Sequence, residues 1–292
     1  MDTKELLKKV RKIEIKTKGL SNQVFSGEYH SAFKGKGMAF SEVRNYIPGD
    51  EIRTIDWNVT ARFNDTYVKV FEEERELTVM LIVDISGSEA FGSDKQLKRE
   101  FIAEIGAVLA FSATQNNDKI GAILFSDKIE LFIPPKKGRK HILRIIREFI
   151  EFTPNSKKTD LGFALKHFNN IIKKRSIAFV ISDFIDNEFE EALKITSKKH
   201  DLIALRVSDK REKELTDVGL SLFIDPENGQ KKWINTSNKK VREKYRSNAL
   251  LREHFISELF KKSNVDYANI NLQDGYIKPL MQLFKKRWKN FY

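Results

Sequence analysis

Leu77-Thr78-Val79-Met80-Leu81-Ile82-Val83-Asp84 is an unbroken apolar run, rich in β-branched residues, that ends in a carboxylate. Such a run is the pattern of a strand covered on both faces, and it predicts the central strand of a mostly parallel sheet. Ile85-Ser86-Gly87-Ser88 follows at once. The order Asp-x-Ser-x-Ser therefore sets one carboxylate and two hydroxyls on a tight loop at the strand's carboxyl end, where ligands bind in open α/β sheets. Taken alone, the same order also fits a turn or a helix N-cap, since Ser and Asp are favoured in both.

Downstream, strands and helices alternate. An apolar stripe over 96–114 predicts a helix, 119–125 and 130–133 read as strands, and helices are expected near 138–151 and 160–173. Buried strands at 176–182 and 202–207 flank a helix at 187–199, and a long charged helix at 238–262, a strand at 265–270 and a helix at 275–288 complete the pattern. Repeated β-then-α units call for a doubly wound α/β sheet with helices on both faces. Residues 218–236 interrupt the alternation as an inserted β-hairpin around Asp225-Pro226-Glu227-Asn228-Gly229. Upstream, 1–19 reads as an N-terminal helix. Residues 20–75, punctuated by Gly27, Gly35, Gly37, Pro48 and Gly49, read as a small β-rich segment of strands and ordered loops, including Gln23 to Ser26 and Tyr67 to Phe71. The main α/β domain is then 76–290.

The chain has 292 residues, of which 40% are hydrophobic with 22 Phe, enough apolar surface for a sizeable core. It has no Cys, which excludes disulfides, thiolate metal sites and thiol nucleophiles. No signal-peptide core and no run of about 20 apolar residues is visible, so the expected location is the cytoplasm. A net charge of +12 raises the prospect of an anionic partner. The runs Lys136-Lys137-Gly138-Arg139-Lys140 and Lys285-Lys286-Arg287-Trp288-Lys289 read first as solvated faces.

Oxygen donors without His or Cys suit Mg²⁺, and Mn²⁺ or Ca²⁺ accept the same oxygens. Here the loop resembles the metal-ion-dependent adhesion site of von Willebrand factor A domains. That resemblance adds a threonine from a later loop, matched by Thr159 in Lys158-Thr159-Asp160-Leu161, and an aspartate ending a later strand, matched by Asp183 in Val180-Ile181-Ser182-Asp183. It implies a metal set of Asp84, Ser86, Ser88, Thr159 and Asp183, with one coordination position left for a partner's acidic side chain.

Gly27 to Gly37, Arg44-Asn45-Tyr46-Ile47-Pro48-Gly49-Asp50, Ile55-Asp56-Trp57, Ala61-Arg62 and Phe71-Glu72-Glu73-Glu74-Arg75 together resemble the bacterial family catalogued as domain of unknown function fifty-eight. The resemblance covers about residues 15–290 and implies a MoxR-type AAA+ ATPase as partner. Two features depart from it: many relatives carry transmembrane helices, and Gly87 stands where alanine is frequent. The charged side chains here read as an ion-pair network holding the first strands to the core, with Trp57 as a core anchor. The alternative is a partner-binding surface of Arg44, Asp50, Asp56, Trp57, Arg62, Glu74 and Arg75.

No catalytic constellation emerges. The histidines at 30, 141, 167, 200 and 254 form no metalloprotease pair, there is no phosphate-binding loop, and no His is placed to activate Ser86. The expectation is a non-catalytic, metal-dependent protein-interaction module. A nucleic-acid or anionic-surface binder is the alternative, and a metal-dependent phosphohydrolase stands behind both.

Overall fold

The computed structural model of the protein describes residues 3–20, 39–63, 65–72, 76–87, 92–93, 96–186, 188–224 and 229–289. The strand expected at 23–26 and the site residues Ser88, Glu74 and Arg75 lie outside them. The described residues form two compact units, one within 33–77 and one combining those within 1–32 and 78–292.

The larger unit begins with α1 (Thr3–Leu20). The smaller unit pairs β1 (Ala39–Asn45) antiparallel with β2 (Tyr67–Glu72), with α2 (Trp57–Phe63) between them. Its turn at Pro48-Gly49 uses a left-handed glycine, φ +112° at Gly49, which lets the Asp50 amide donate to Ile47 O at 3.0 Å. Arg44 closes the same turn with a two-pronged bond to Asp50, both contacts 2.7 Å. The sequence pattern predicted only strands and loops here, and α2 corrects it. Seven residues are too few to display an apolar period, and the helix instead starts on the Asp56 carboxylate, which accepts from the amides of Asn58 and Val59. A second correction concerns Trp57, which is 67% exposed and so anchors no core.

The six-stranded sheet of the larger unit contains β3 (Thr78–Asp84), β6 (Lys119–Phe125), β7 (Ile129–Lys136), β8 (Ile177–Ser182), β9 (Asp201–Ser208) and β12 (Asp266–Asn271). Their order is β12-β9-β8-β3-β6-β7, all parallel except the antiparallel edge strand β7. The two prolines of β7, Pro134 and Pro135, sit where a missing amide is tolerated. Between β3 and β6, the short β4 (Gly92–Ser93) and β5 (Gln96–Leu97) form a ribbon that leads into α3 (Lys98–Gln115). The sequence had not announced this ribbon.

Helices cover both faces. On one, α3 is buried nearly all round because α1 and α4 (Arg139–Glu151) pack on it, and α4 turns Ile142, Ile145, Ile146 and Phe149 inward at helical spacing. Against the other lie α5 (Leu161–Ile171), α6 (Glu190–Lys199) and α7 (Lys239–Lys262), whose Leu165, Phe168, Leu193, Ile256 and Phe260 join Met80, Ile82 and Val180 in one core. After β12 the chain ends in α8 (Ile277–Lys289). The inserted hairpin, β10 (Leu220–Ile224) and β11 (Lys231–Asn235), makes a separate two-stranded sheet. No described helix is long and apolar enough to cross a membrane.

Packing is tight where β6 meets β7. A Cβ on Gly121 would stand 2.8 Å from Ile133 O, 2.8 Å from Met80 Sδ and 2.9 Å from Pro135 N, two of them backbone atoms that cannot step aside. Gly121→Ala is therefore expected to lower unfolding free energy by roughly 1–3 kcal/mol in urea titration.

Candidate metal centre

The chain leaves β3 toward β6 on one side and later returns to β8 on the other, so the carboxyl ends of β3 and β8 flank a topological switch point. Asp84 closes β3 and Asp183 follows β8, and both are buried, with Asp84 1% exposed. Asp84 Oδ1 accepts from the Ser86 amide at 2.9 Å, which folds the loop back on its own carboxylate. Asp84 Oδ2 accepts from Ser182 Oγ at 2.9 Å, and Ser182 Oγ accepts in turn from the Phe184 amide at 3.0 Å. Phe184 holds the left-handed conformation, φ +58°, rare for a bulky residue. The strain is maintained by burial of its ring against Phe189 and Phe260, and it turns the chain immediately after Asp183.

Thr159 arrives on the loop between α4 and α5. That loop is fastened to the strand ends on both sides of Thr159: the Gly87 amide donates to Lys157 O at 2.8 Å, and the Asp160 amide donates to Ser126 O at 3.0 Å. Glu130 of β7 ties down its earlier part, accepting from the amides of Asn155 and Ser156, from Asn155 Nδ2 and from Ser126 Oγ. Although burial opposes it, these bonds from Asn155 and Ser126 hold the Glu130 carboxyl below its ordinary value. Asp160 then caps α5 by accepting from the Phe163 amide at 2.7 Å. Asp84, Ser86 and Asp183 are thus gathered at one rim of the sheet, and the loop bearing Thr159 is bonded to it.

Electrostatics single out Asp84. Burial, with the neighbouring Asp183 charge adding to it, pushes its carboxyl up from 3.8 to about 7, against the hydrogen bonds from Ser86 and Ser182. Asp183 has a different environment. Its Oδ2 accepts from Lys98 Nζ at 3.1 Å, and Lys98 is fully buried and also 3.4 Å from Glu212 Oε1. Arg206 donates to the Asp183 carbonyl at 3.3 Å. Lys98, Ser182, Glu130 and Arg206 were not foreseen from sequence. Lys98 sits in a charged stretch that reads as solvent-facing, and only the tertiary fold reveals its burial.

Among the described residues no three His, Cys, Asp or Glu side chains cluster as a metal cage. A cation here would rest on two carboxylates, hydroxyls and water, a hard-oxygen set that fits Mg²⁺ or Mn²⁺. The raised Asp84 carboxyl supports that fit, because a nearby cation relieves the cost of a buried anion beside a second one. Of the residues considered as a partner surface, Arg44 and Asp50 pair with each other, and Arg44 holds Asp50 down to about 2. Asp56 lies 3.4 Å from Lys69, and Trp57 and Arg62 are exposed on α2. These pairs join residues of the small unit to one another.

Fold and site together define a doubly wound, mostly parallel α/β domain with an Asp-x-Ser loop at the switch point of its sheet. The chain belongs to the family described as protein of unknown function DUF58, which it matches over residues 42–254. It is similar to the uncharacterized protein Mb1516 of Mycobacterium bovis, 29% identical over 232 residues that cover 78% of this chain and 73% of that protein. It also resembles YeaD of Bacillus subtilis, 28% identical over 107 residues, 37% of this chain and 25% of that protein. Among solved structures, BatB of Bacteroides thetaiotaomicron aligns with a TM-score of 0.48 at 18% identity, over 73% of this chain and 99% of that one. The SpRpn10 VWA domain aligns with a TM-score of 0.38 at 14% identity, over 73% and 95% of the two chains.

Proposed function

We propose that the protein is a non-catalytic, metal-dependent protein-interaction module. In this reading Asp84, Ser86, Ser88, Thr159 and Asp183 hold Mg²⁺ or a similar ion, and an acidic side chain of a partner completes its coordination. The observation that carries the reading is geometric: two buried carboxylates, Asp84 and Asp183, stand at the sheet's switch point with the Ser86 loop folded back onto Asp84. Hydroxyls engaged on a metal are poor nucleophiles, which favours capture over hydrolysis in this reading.

The family resemblance extends the proposal to a MoxR-type AAA+ ATPase, for which the module would act as an adaptor in the cytoplasm. Immobilised wild type is expected to retain such an ATPase in Mg²⁺ and to release it in EDTA, and Asp84→Ala is expected to retain it in neither buffer. Equal retention in all four conditions would end the metal-capture reading.

The net charge of +12 favours a second reading, binding of nucleic acid. It predicts affinity for DNA that falls steeply with salt and ignores chelator.

A further inference from the structure

Beside the Asp84–Ser86 loop, a cleft of about 210 Å³ opens between the end of β3, α3 and the end of α4. Ile85, Ile102, Phe149 and Pro154 give it apolar walls, and Arg99 and Lys157 supply its positive charge. Among the described residues of the lining, Asp84 is the one carboxylate. An apolar cavity of roughly 150 Å³ holds a benzene ring, so this volume takes one large aliphatic or aromatic side chain.

Arg99 is the anomaly. Its Nε donates to Phe149 O at 3.0 Å, which orients the guanidinium, but its Nη2 is buried with no acceptor among the described residues. Arg99 as a whole is half-buried, whereas the buried cations are matched among the described residues: Lys98 by Asp183 and Glu212, Arg206 by Glu253, and Arg287 by Asp201 and Asp266. A guanidinium nitrogen withdrawn from water without an acceptor carries a desolvation cost that a ligand oxygen could offset. Burial lowers the Arg99 pKa.

We propose that this cleft is a second recognition subsite, in which Arg99 receives a carboxylate of an acidic peptide while an adjacent apolar side chain of that peptide fills the cavity. The proposal rests on the reading that an acidic partner is captured at the metal loop, and it specifies that partner: an Asp or Glu next to a Leu or Phe, with a further acid within reach of the ion. Arg99 offers a planar fork suited to a carboxylate, and the apolar walls keep water from competing. A fully polar acidic segment would leave the cavity unfilled, and a purely apolar one would leave the guanidinium unmatched.

The test is calorimetric titration of the full chain with three capped dipeptides, acetyl-Glu-Phe-amide, acetyl-Gln-Phe-amide and acetyl-Glu-Gly-amide, each in Mg²⁺ and in EDTA. In EDTA, Glu-Phe is expected to bind at least about tenfold more tightly than either control, the scale of one charge-assisted hydrogen bond. Arg99→Met is expected to reduce Glu-Phe to the level of Gln-Phe, and Arg99→Lys to restore part of the difference. If Arg99→Met does not fold, the acid-against-amide comparison on wild type in EDTA decides alone. Equal binding of Glu-Phe and Gln-Phe, or no binding of any probe, overturns the subsite. Glu-Phe binding that needs Mg²⁺ and survives Arg99→Met also overturns it, while sustaining capture at the metal. Arg99-dependent binding in EDTA with no added effect of Mg²⁺ sustains the subsite and counts against the metal reading.

Discussion

Lys98→Met is expected to lower metal-free stability by roughly 3–5 kcal/mol, the cost of breaking a buried ion pair by removing one partner. The ammonium is fully buried, and its loss leaves Asp183 and Glu212 unneutralised in a site already carrying Asp84. Glu212 is raised chiefly by burial even with Lys98 present, so it has little reserve to absorb the change. Urea unfolding in EDTA measures the loss directly. Adding Asp183→Asn to Lys98→Met should recover most of it, because the neutral amide removes the stranded charge. A single-variant loss below about 1 kcal/mol would mean that the pair does not carry the balance assigned to it.

Asp84→Asn is expected to do the opposite in the absence of metal, stabilising the protein by about 1–3 kcal/mol above neutral pH. The sign follows from the raised carboxyl. The folded chain keeps a proton on Asp84 up to about pH 7, and the unfolded chain releases it near 3.8. Between these values the native state binds more protons, so Asp84 subtracts stability progressively as pH climbs through the window and levels off above it. The asparagine amide avoids that penalty, so its advantage should be absent near pH 4, grow toward pH 7 and then hold constant. Comparing the two unfolding curves cancels the titration of groups that do not interact with Asp84, such as the buried His200, whose pKa burial lowers. With millimolar Mg²⁺ the ranking should reverse, since only the wild-type carboxylate gains from the ion.

The fold was legible because its decisive signals are local. An apolar run such as Thr78 to Val83 has no other stable home than the middle of a sheet, and the downstream elements declared themselves by period and length. The order of Asp84, Thr159 and Asp183 at three strand or helix ends was equally visible. What stayed hidden depends on tertiary context. Lys98 reads as surface charge until the fold puts it against Asp183, and Glu130 looks like an edge-strand polar residue until the Thr159 loop folds onto it. Trp57 misleads for the converse reason: a large aromatic predicts burial by volume, but α2 displays it to solvent. The short α2 was missed because a single side-chain cap, not an apolar stripe, starts it.

The wild-type protein crystallised with Mn²⁺ and measured for anomalous scattering tests the metal assignment most directly. The account predicts one peak at the carboxyl end of β3, with Ser86 Oγ and Thr159 Oγ1 about 2.0–2.3 Å from it and the aspartates bound directly or through water. No peak there, with Thr159 Oγ1 turned away from Ser86 and Asp84 in an unchanged hydrogen-bonded turn, would contradict it.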